Sequence, residues 1–214
     1  MMRTFAIVPV KQFKNAKTRL SSIMDMDERI RLSLLMLEDT LQILSAVRLL
    51  NEVIIVSTDK HAEELAIEHG AIFVREEREN GVNSAIALAD RYCIKKGADA
   101  TIVIPHDLPL INETDISDAY YLAQKEPECI VISPSRRYDG TNMLLRKPPS
   151  VMTTFYDLDS YKMHIRAALK LGIPIKYLFS KSLMWDIDTP EDVQQVIREK
   201  GVTARSIKFM KSKL

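Results

Sequence analysis

Residues 53–74 read VIIVSTDKHAEELAIEHGAIFV, and the order of their parts decides the fold class. Val53–Val56 is a β-branched run of the length of a buried strand, and Ile72–Val74 is a second. Between them Ala62–His69 reads as a helix, ended by Gly70, which takes the left-handed conformation that closes helices without steric cost. Two short strands separated by a helix pair in parallel, because a crossover of that length returns the chain to the same end of the sheet. The alternation recurs on both sides. Further strands are predicted at Phe5–Val8, Ala100–Ile104 and Ile130–Ser133, and helices at Ser84–Lys96, Glu113–Gln124, Ser160–Leu171 and Pro190–Glu199. Ile30, Leu34, Leu37, Leu41 and Leu44 return at the spacing of one apolar helix face. The expected architecture is α/β, a mostly parallel central sheet with helices on both faces. No linker, repeat or low-complexity block divides the chain, so one domain is expected over residues 1–214.

The 214 residues carry 30 basic and 29 acidic side chains, a formal charge of +1. That balance offers no field to draw in nucleic acid or an anionic membrane, so an anionic ligand has to be met by a local cluster of cations. The apolar run near the N-terminus stops at Lys11, too short for a membrane span, and reads as the first strand. Cys93 and Cys129 lie in apolar stretches without CxxC spacing, as reduced core residues of a cytoplasmic protein would. The apolar-faced helix and the Met-rich segments could support a homodimer.

In parallel sheets of this kind ligands gather beyond the carboxyl ends of the strands. After the first strand, Lys11, Lys14, Lys17 and Arg19 bring four cations within nine residues. Such a loop can wrap a polyphosphate, with lysines as point charges and Arg19 as a planar fork, or can simply be solvated. It contains no glycine and is neither a Walker A nor a dinucleotide loop. After the fourth strand, Asp107 stands between Pro105 and Pro109, placed to hold a hard cation or to cap the turn that follows. Near the C-terminus, alternation sends Asp186 and Asp188 to one side and Ile187 towards the core. With Asp107 they would make a three-carboxylate Mg²⁺ site. Thr189 and Pro190 start a helix as N-cap and N1, and Asp192 supports its first turn. His106 reads as local structure, and Asp59 as a ligand or a helix cap. Gly81 and Asn83 open a helix where an amide could meet a base edge, with Asn83 as N-cap the alternative.

Four motifs occur in this order: Pro9-Val10-Lys11 running to Ala16-Lys17-Thr18-Arg19-Leu20, His106-Asp107-Leu108-Pro109, Asp139-Gly140-Thr141-Asn142-Met143-Leu144-Leu145, and Trp185-Asp186-Ile187-Asp188-Thr189-Pro190-Glu191-Asp192. Together they resemble the 2-phospho-L-lactate guanylyltransferase family of coenzyme F-420 biosynthesis. The resemblance implies a Rossmann-like nucleotidyltransferase fold and a reaction in which the phosphate of 2-phospholactate attacks the α-phosphorus of GTP, with pyrophosphate leaving. Bacterial members use phosphoenolpyruvate instead. It further implies triphosphate contacts from Lys11, Lys17 and Arg19, with Lys17, Arg19 and Asp107 at the chemistry. Metal contacts would come from Asp107, Asp186 and Asp188, and contacts to the small phosphorylated hydroxy acid from Thr141, Asn142, Ser160 and His164. Base contacts would lie near Gly81 and Asn83. Where many members carry two glycines before that serine, this chain has Asp157 and Asp159. Carboxylates there would repel a phosphate unless they turn away or meet a cation. Three rival readings remain: a nucleotidyltransferase with another NTP or acceptor such as 3-phosphoglycerate, a GT-A-like glycosyltransferase, and a non-enzymatic nucleotide-binding module.

Overall fold

The computed structural model describes residues 1–157 and 159–213. In chain order the elements are β1 (Thr4–Val10), α1 (Met26–Ala46), β2 (Leu50–Ser57), α2 (Lys60–Glu68), β3 (Ile72–Arg75), α3 (Val82–Lys95), β4 (Ala100–Val103), α4 (Glu113–Gln124), β5 (Cys129–Pro134), β6 (Thr141–Lys147), α5 (Ser160–Leu171), β7 (Ile175–Tyr177), α6 (Lys181–Met184), α7 (Pro190–Val196) and α8 (Arg205–Lys211). The sheet order is β3-β2-β1-β4-β6-β5-β7. All pairings are parallel except the two made by β6, which runs against β4 and β5.

Period-2 alternation sorts the strands into two layers. Ala6, Val8, Ile55, Ile102 and Val131 face α1, α2 and α4. Phe5, Ile7, Ile54 and Val103 face α3, while Ile130, Ile132 and Leu144 face α5. A further cluster forms where Leu32 and Met36 of α1 meet Val193 and Val196 of α7 and Ile207 and Met210 of α8. Helices thus cover both faces of a mostly parallel sheet. Cys93 and Cys129 are free and buried, and burial pushes the Cys93 thiol up to about 12. Among the described residues no helix is long and apolar enough to cross a membrane.

Local chemistry sets the helix starts. Asp25 and Glu28 form a reciprocal capping box on α1, as do Asn112 and Asp115 on α4 and Thr189 and Asp192 on α7, with Pro190 in the first turn. Asp59 caps α2 by accepting from the His61 N–H.

The structure departs from the sequence expectation in several places. β6 and β7 were not among the predicted strands, α8 was not among the predicted helices, and α7 ends at Val196 instead of Glu199. β6 lacks an apolar-only strand signature because Arg146 stands within it, 1% exposed. Its guanidinium forks onto Asp90 of α3 through two 2.7 Å bonds and also donates to Thr101 Oγ1. A bidentate partner is what makes a buried guanidinium tolerable.

Candidate active site

β1 delivers the chain to Lys11, after which two single 3-10 turns, Phe13–Asn15 and Thr18–Leu20, shape the loop. Phe13 anchors it: the ring is buried with its edge to His106, and the amide donates to Asp59 Oδ2. Asp59 is therefore spent on structure. Lys17 sits between the two turns at φ 50°, ψ 40°, a left-handed conformation unfavourable for a residue with a Cβ. The result is a side chain aimed inward, 9% exposed, with Nζ 2.6 Å from Asp107 Oδ2 and 3.0 Å from Asp188 Oδ1. Arg19 stays exposed, with Nη1 3.8 Å from Asp188 Oδ2.

The two acidic segments are joined by the backbone. The Ile187 N–H donates to the Asp107 carbonyl at 3.1 Å. Ile187 is fully buried, so Asp186 and Asp188 fall on the opposite side, against Asp107. Asn142 donates from Nδ2 to both the Leu183 carbonyl and Asp186 Oδ1, which makes it a brace for the acidic segment.

Burial opposes charge on Lys17, but the carboxylates of Asp107 and Asp188 outweigh it and hold its pKa above the ordinary lysine value. Burial likewise opposes charge on Asp107, yet the ammonium keeps its carboxyl below the usual range. Among the described residues Asp186 has no such cation. Burial first, then the like charge of Asp107, raise it to about 6. His106 is half-buried in the cleft wall, and desolvation pushes it down to about 4, so it is neutral at pH 7.

These groups line one cleft of about 470 Å³ at the carboxyl ends of β1 and β4. Lys11, Lys17, Arg19, Asp107, Asp186 and Asp188 are on its walls, as are Thr141, Asn142 and Ser160. Thr141 and Asn142 open β6, and only because that strand is reversed does its first end reach the site. A Cβ at Gly140, also in the wall, would come within 3.2 Å of Ser135 Cβ, so the glycine lets this turn pack closely on Ser135.

Three expectations need correction. Asn83 is not an N-cap, since Gly81 holds that position at φ 83°. Instead its Oδ1 accepts from the Tyr156 N–H and its Nδ2 donates to Asp157 Oδ2, so Asn83 would have to release both to read a base. Gly81 and Asn83 are not in the cleft wall, which takes Val82 from this turn. His164 is fully buried with both ring nitrogens engaged, by Thr141 Oγ1 and the Phe155 N–H; it is behind the wall. Asp159 does meet a cation, Lys162, whereas Asp157 stays in the cleft wall with only the neutral amide of Asn83 donating to it.

The three carboxylates also do not form a cage. Among the described residues no group of three acidic, histidine or cysteine side chains could hold a metal by itself. Mg²⁺ is commonly held by one or two carboxylates together with substrate phosphates and water. Asp107 and Asp188, already brought onto a single cation by Lys17, fit an open site of that kind.

Comparison with known proteins identifies the fold and the family. Among solved structures, a Desulfovibrio desulfuricans protein assigned as a nucleotide-diphospho-sugar transferase superposes with a TM-score of 0.81 at 16% identity, over 99% of this chain and 95% of that one. A cytidylyltransferase from Leptospira borgpetersenii superposes with a TM-score of 0.61 at 14% identity, over 92% and 85%. The fold is the Rossmann-like nucleotidyltransferase fold. The family model for guanylyl transferase CofC-like proteins matches residues 4–213, and the chain belongs to that family. The phosphoenolpyruvate guanylyltransferase of Rubrobacter xylanophilus is 35% identical over 95% of this chain and 98% of its own. The 2-phospho-L-lactate guanylyltransferase of Methanothermobacter thermautotrophicus is 33% identical over 92% and 85%.

Proposed function

We propose that this protein transfers GMP from GTP to 2-phospho-L-lactate, forming lactyl-2-diphospho-5'-guanosine and releasing pyrophosphate, as a Mg²⁺-dependent step of coenzyme F-420 biosynthesis. The observation that carries the reading is the convergence of Lys17, Asp107 and Asp188 in one cleft of a chain matched by this family over almost its whole length. A second reading has phosphoenolpyruvate as acceptor, favoured by the 35% identity to a phosphoenolpyruvate guanylyltransferase. The two acids share a phosphate and a carboxylate.

An acceptor phosphate is already an anionic nucleophile at neutral pH, so no general base is required. The barrier lies in bringing one anion onto the phosphorus of another, and charge neutralisation with in-line positioning lowers it. Mg²⁺ bound by Asp107 and Asp188 together with phosphate oxygens would offset charge on the α-phosphate. Lys11 and Arg19, on the basic loop, reach outward to the β- and γ-phosphates. Lys17 exchanges its carboxylate partners for phosphate oxygen, placing its charge on the departing pyrophosphate. Thr141, Ser160 and Asn142 form the acceptor end of the cleft, and the Gly81–Asn83 turn stands at the base end.

The test is pyrophosphate release from each of the four NTPs with 2-phospholactate, phosphoenolpyruvate and 3-phosphoglycerate. Release with GTP and 2-phospholactate supports the first reading, and preference for phosphoenolpyruvate the second. Release of a nucleoside diphosphate from a sugar nucleotide would instead support a glycosyltransferase. GTP binding without pyrophosphate release from any pair would indicate a binding module.

A further inference from the structure

We propose that His164 is a positioning residue that fixes the polarity of the Thr141–Ser160 hydroxyl pair, so that the acceptor end of the cleft always presents a hydroxyl hydrogen to an anionic oxygen. The inference rests on the acceptor being a phosphorylated acid, as proposed above.

A backbone N–H can only donate. The Phe155 N–H lies 2.8 Å from His164 Nε2, so Nε2 must carry a lone pair. The ring is buried, and desolvation together with the Arg146 charge pushes its pKa down to about 4. A neutral imidazole has one N–H, and here it is on Nδ1. Nδ1 is 3.0 Å from Thr141 Oγ1, so Thr141 accepts that bond. Ser160 Oγ, 3.2 Å from Thr141 Oγ1, donates to it as well. A hydroxyl oxygen has two lone pairs and one hydrogen. With both lone pairs filled, the Thr141 hydrogen is left for the cleft, whose wall Thr141 and Ser160 share.

Rotation of the hydroxyls still leaves one hydrogen facing the cleft. If Thr141 turned its hydrogen to Ser160, the Ser160 hydrogen would face the cleft in its place. With the opposite tautomer, the ring would take the Thr141 hydrogen and Thr141 would take that of Ser160. The pair would then show a ligand only lone pairs, which repel carboxylate and phosphate oxygens. A single backbone amide, that of Phe155, thereby sets the sign of this wall through a residue that never touches the ligand.

The direct experiment is nitrogen NMR of the folded, full-length protein with ¹⁵N-labelled histidine. The expected signature for His164 is a protonated Nδ1 and an unprotonated Nε2; the reverse tautomer overturns the proposal whatever the protein catalyses. Kinetics supply the second arm. Gln at position 164 reaches the place of Nε2 but has no donor at Nδ1, so His164→Gln is expected to raise the KM of the acid about tenfold or more. The KM of GTP should hardly change. The amide nitrogen of Asn sits where Nδ1 does, and His164→Asn is expected to recover most of that loss. A folded His164→Gln enzyme with an unaltered KM for the acid overturns the proposal. If the wild type transfers GMP to no acid, the proposed function fails instead, and the tautomer measurement still decides the polarity of the wall.

Discussion

The ammonium of Lys17 lies 2.6 Å from Asp107 Oδ2 and reaches the cleft from a left-handed backbone. In this arrangement one residue of the N-terminal loop neutralises carboxylates contributed by two later parts of the chain. The geometry predicts that the loop and the acidic segments are coupled, energetically as well as in catalysis.

Asp107→Asn tests catalysis. The amide keeps the volume and loses the charge, and on the proposed reading turnover falls roughly 10²-fold or more, comparable to the loss of other central electrostatic groups. Circular dichroism should match the wild type while pyrophosphate release drops. Full activity would remove Asp107 from the chemistry.

Lys17→Met tests the coupling. It leaves Asp107 and Asp188 facing each other without their shared cation. Breaking a fully buried pair costs about 3–5 kcal/mol, but the Asp188 side chain is 36% exposed, so roughly 1–2 kcal/mol is expected. Thermal denaturation in EDTA should show the loss, and added Mn²⁺ without nucleotide should restore part of it. Wild-type protein should respond far less, because its own cation already occupies that position.

His164 predicts an acid limb of stability. Its folded-state pKa of about 4 lies below the ordinary histidine value of about 6.5. Between those two values the unfolded chain binds the proton and the folded chain does not, so stability rises with pH there. The contribution is complete above about pH 6.5 and is lost as pH falls towards 4, at about 1.4 kcal/mol per pH unit. Urea titrations of wild type and His164→Asn across this range should differ in slope. Equal slopes would mean that the ring is not held neutral.

The buried Arg146–Asp90 pair gives a fourth prediction. Asp90→Ala strands a guanidinium that is 1% exposed and should cost about 3–5 kcal/mol, read by urea denaturation. Replacing both partners, as Asp90→Leu with Arg146→Met, should recover most of that loss. A small effect of Asp90→Ala would show that water reaches Arg146.

What could be read in the sequence follows the range of the interactions. The first five strands, the capping role of Thr189 and Asp192 and the inward turn of Ile187 depend on residues a few positions apart, and the sequence displays them. The cleft residues Lys17, Asp107 and Asp188 were recognisable because each follows a buried segment or alternates with a core residue. β6 was obscured because Arg146 reads as a surface residue until Asp90, 56 positions earlier, is known to meet it. The role of Asn83 was hidden in the same way, since its partners Tyr156 and Asp157 are more than seventy positions away. His164 was visible as a motif residue, but its separation from the cleft depends on burial, which motif spacing does not encode.

The reversal of β6 has an outcome for how such a cleft can change. One side is made of loops that leave parallel strands and can be re-formed by insertion or altered backbone. The other begins inside a hydrogen-bonded ladder, where a shift of one position would turn every later side chain over. On the proposed reading, the nucleotide is clasped by pliable material and the acid is gauged against a stiff ruler. Acceptor preference should then drift through single side chains and the turn before α5, while the strand itself stays in step.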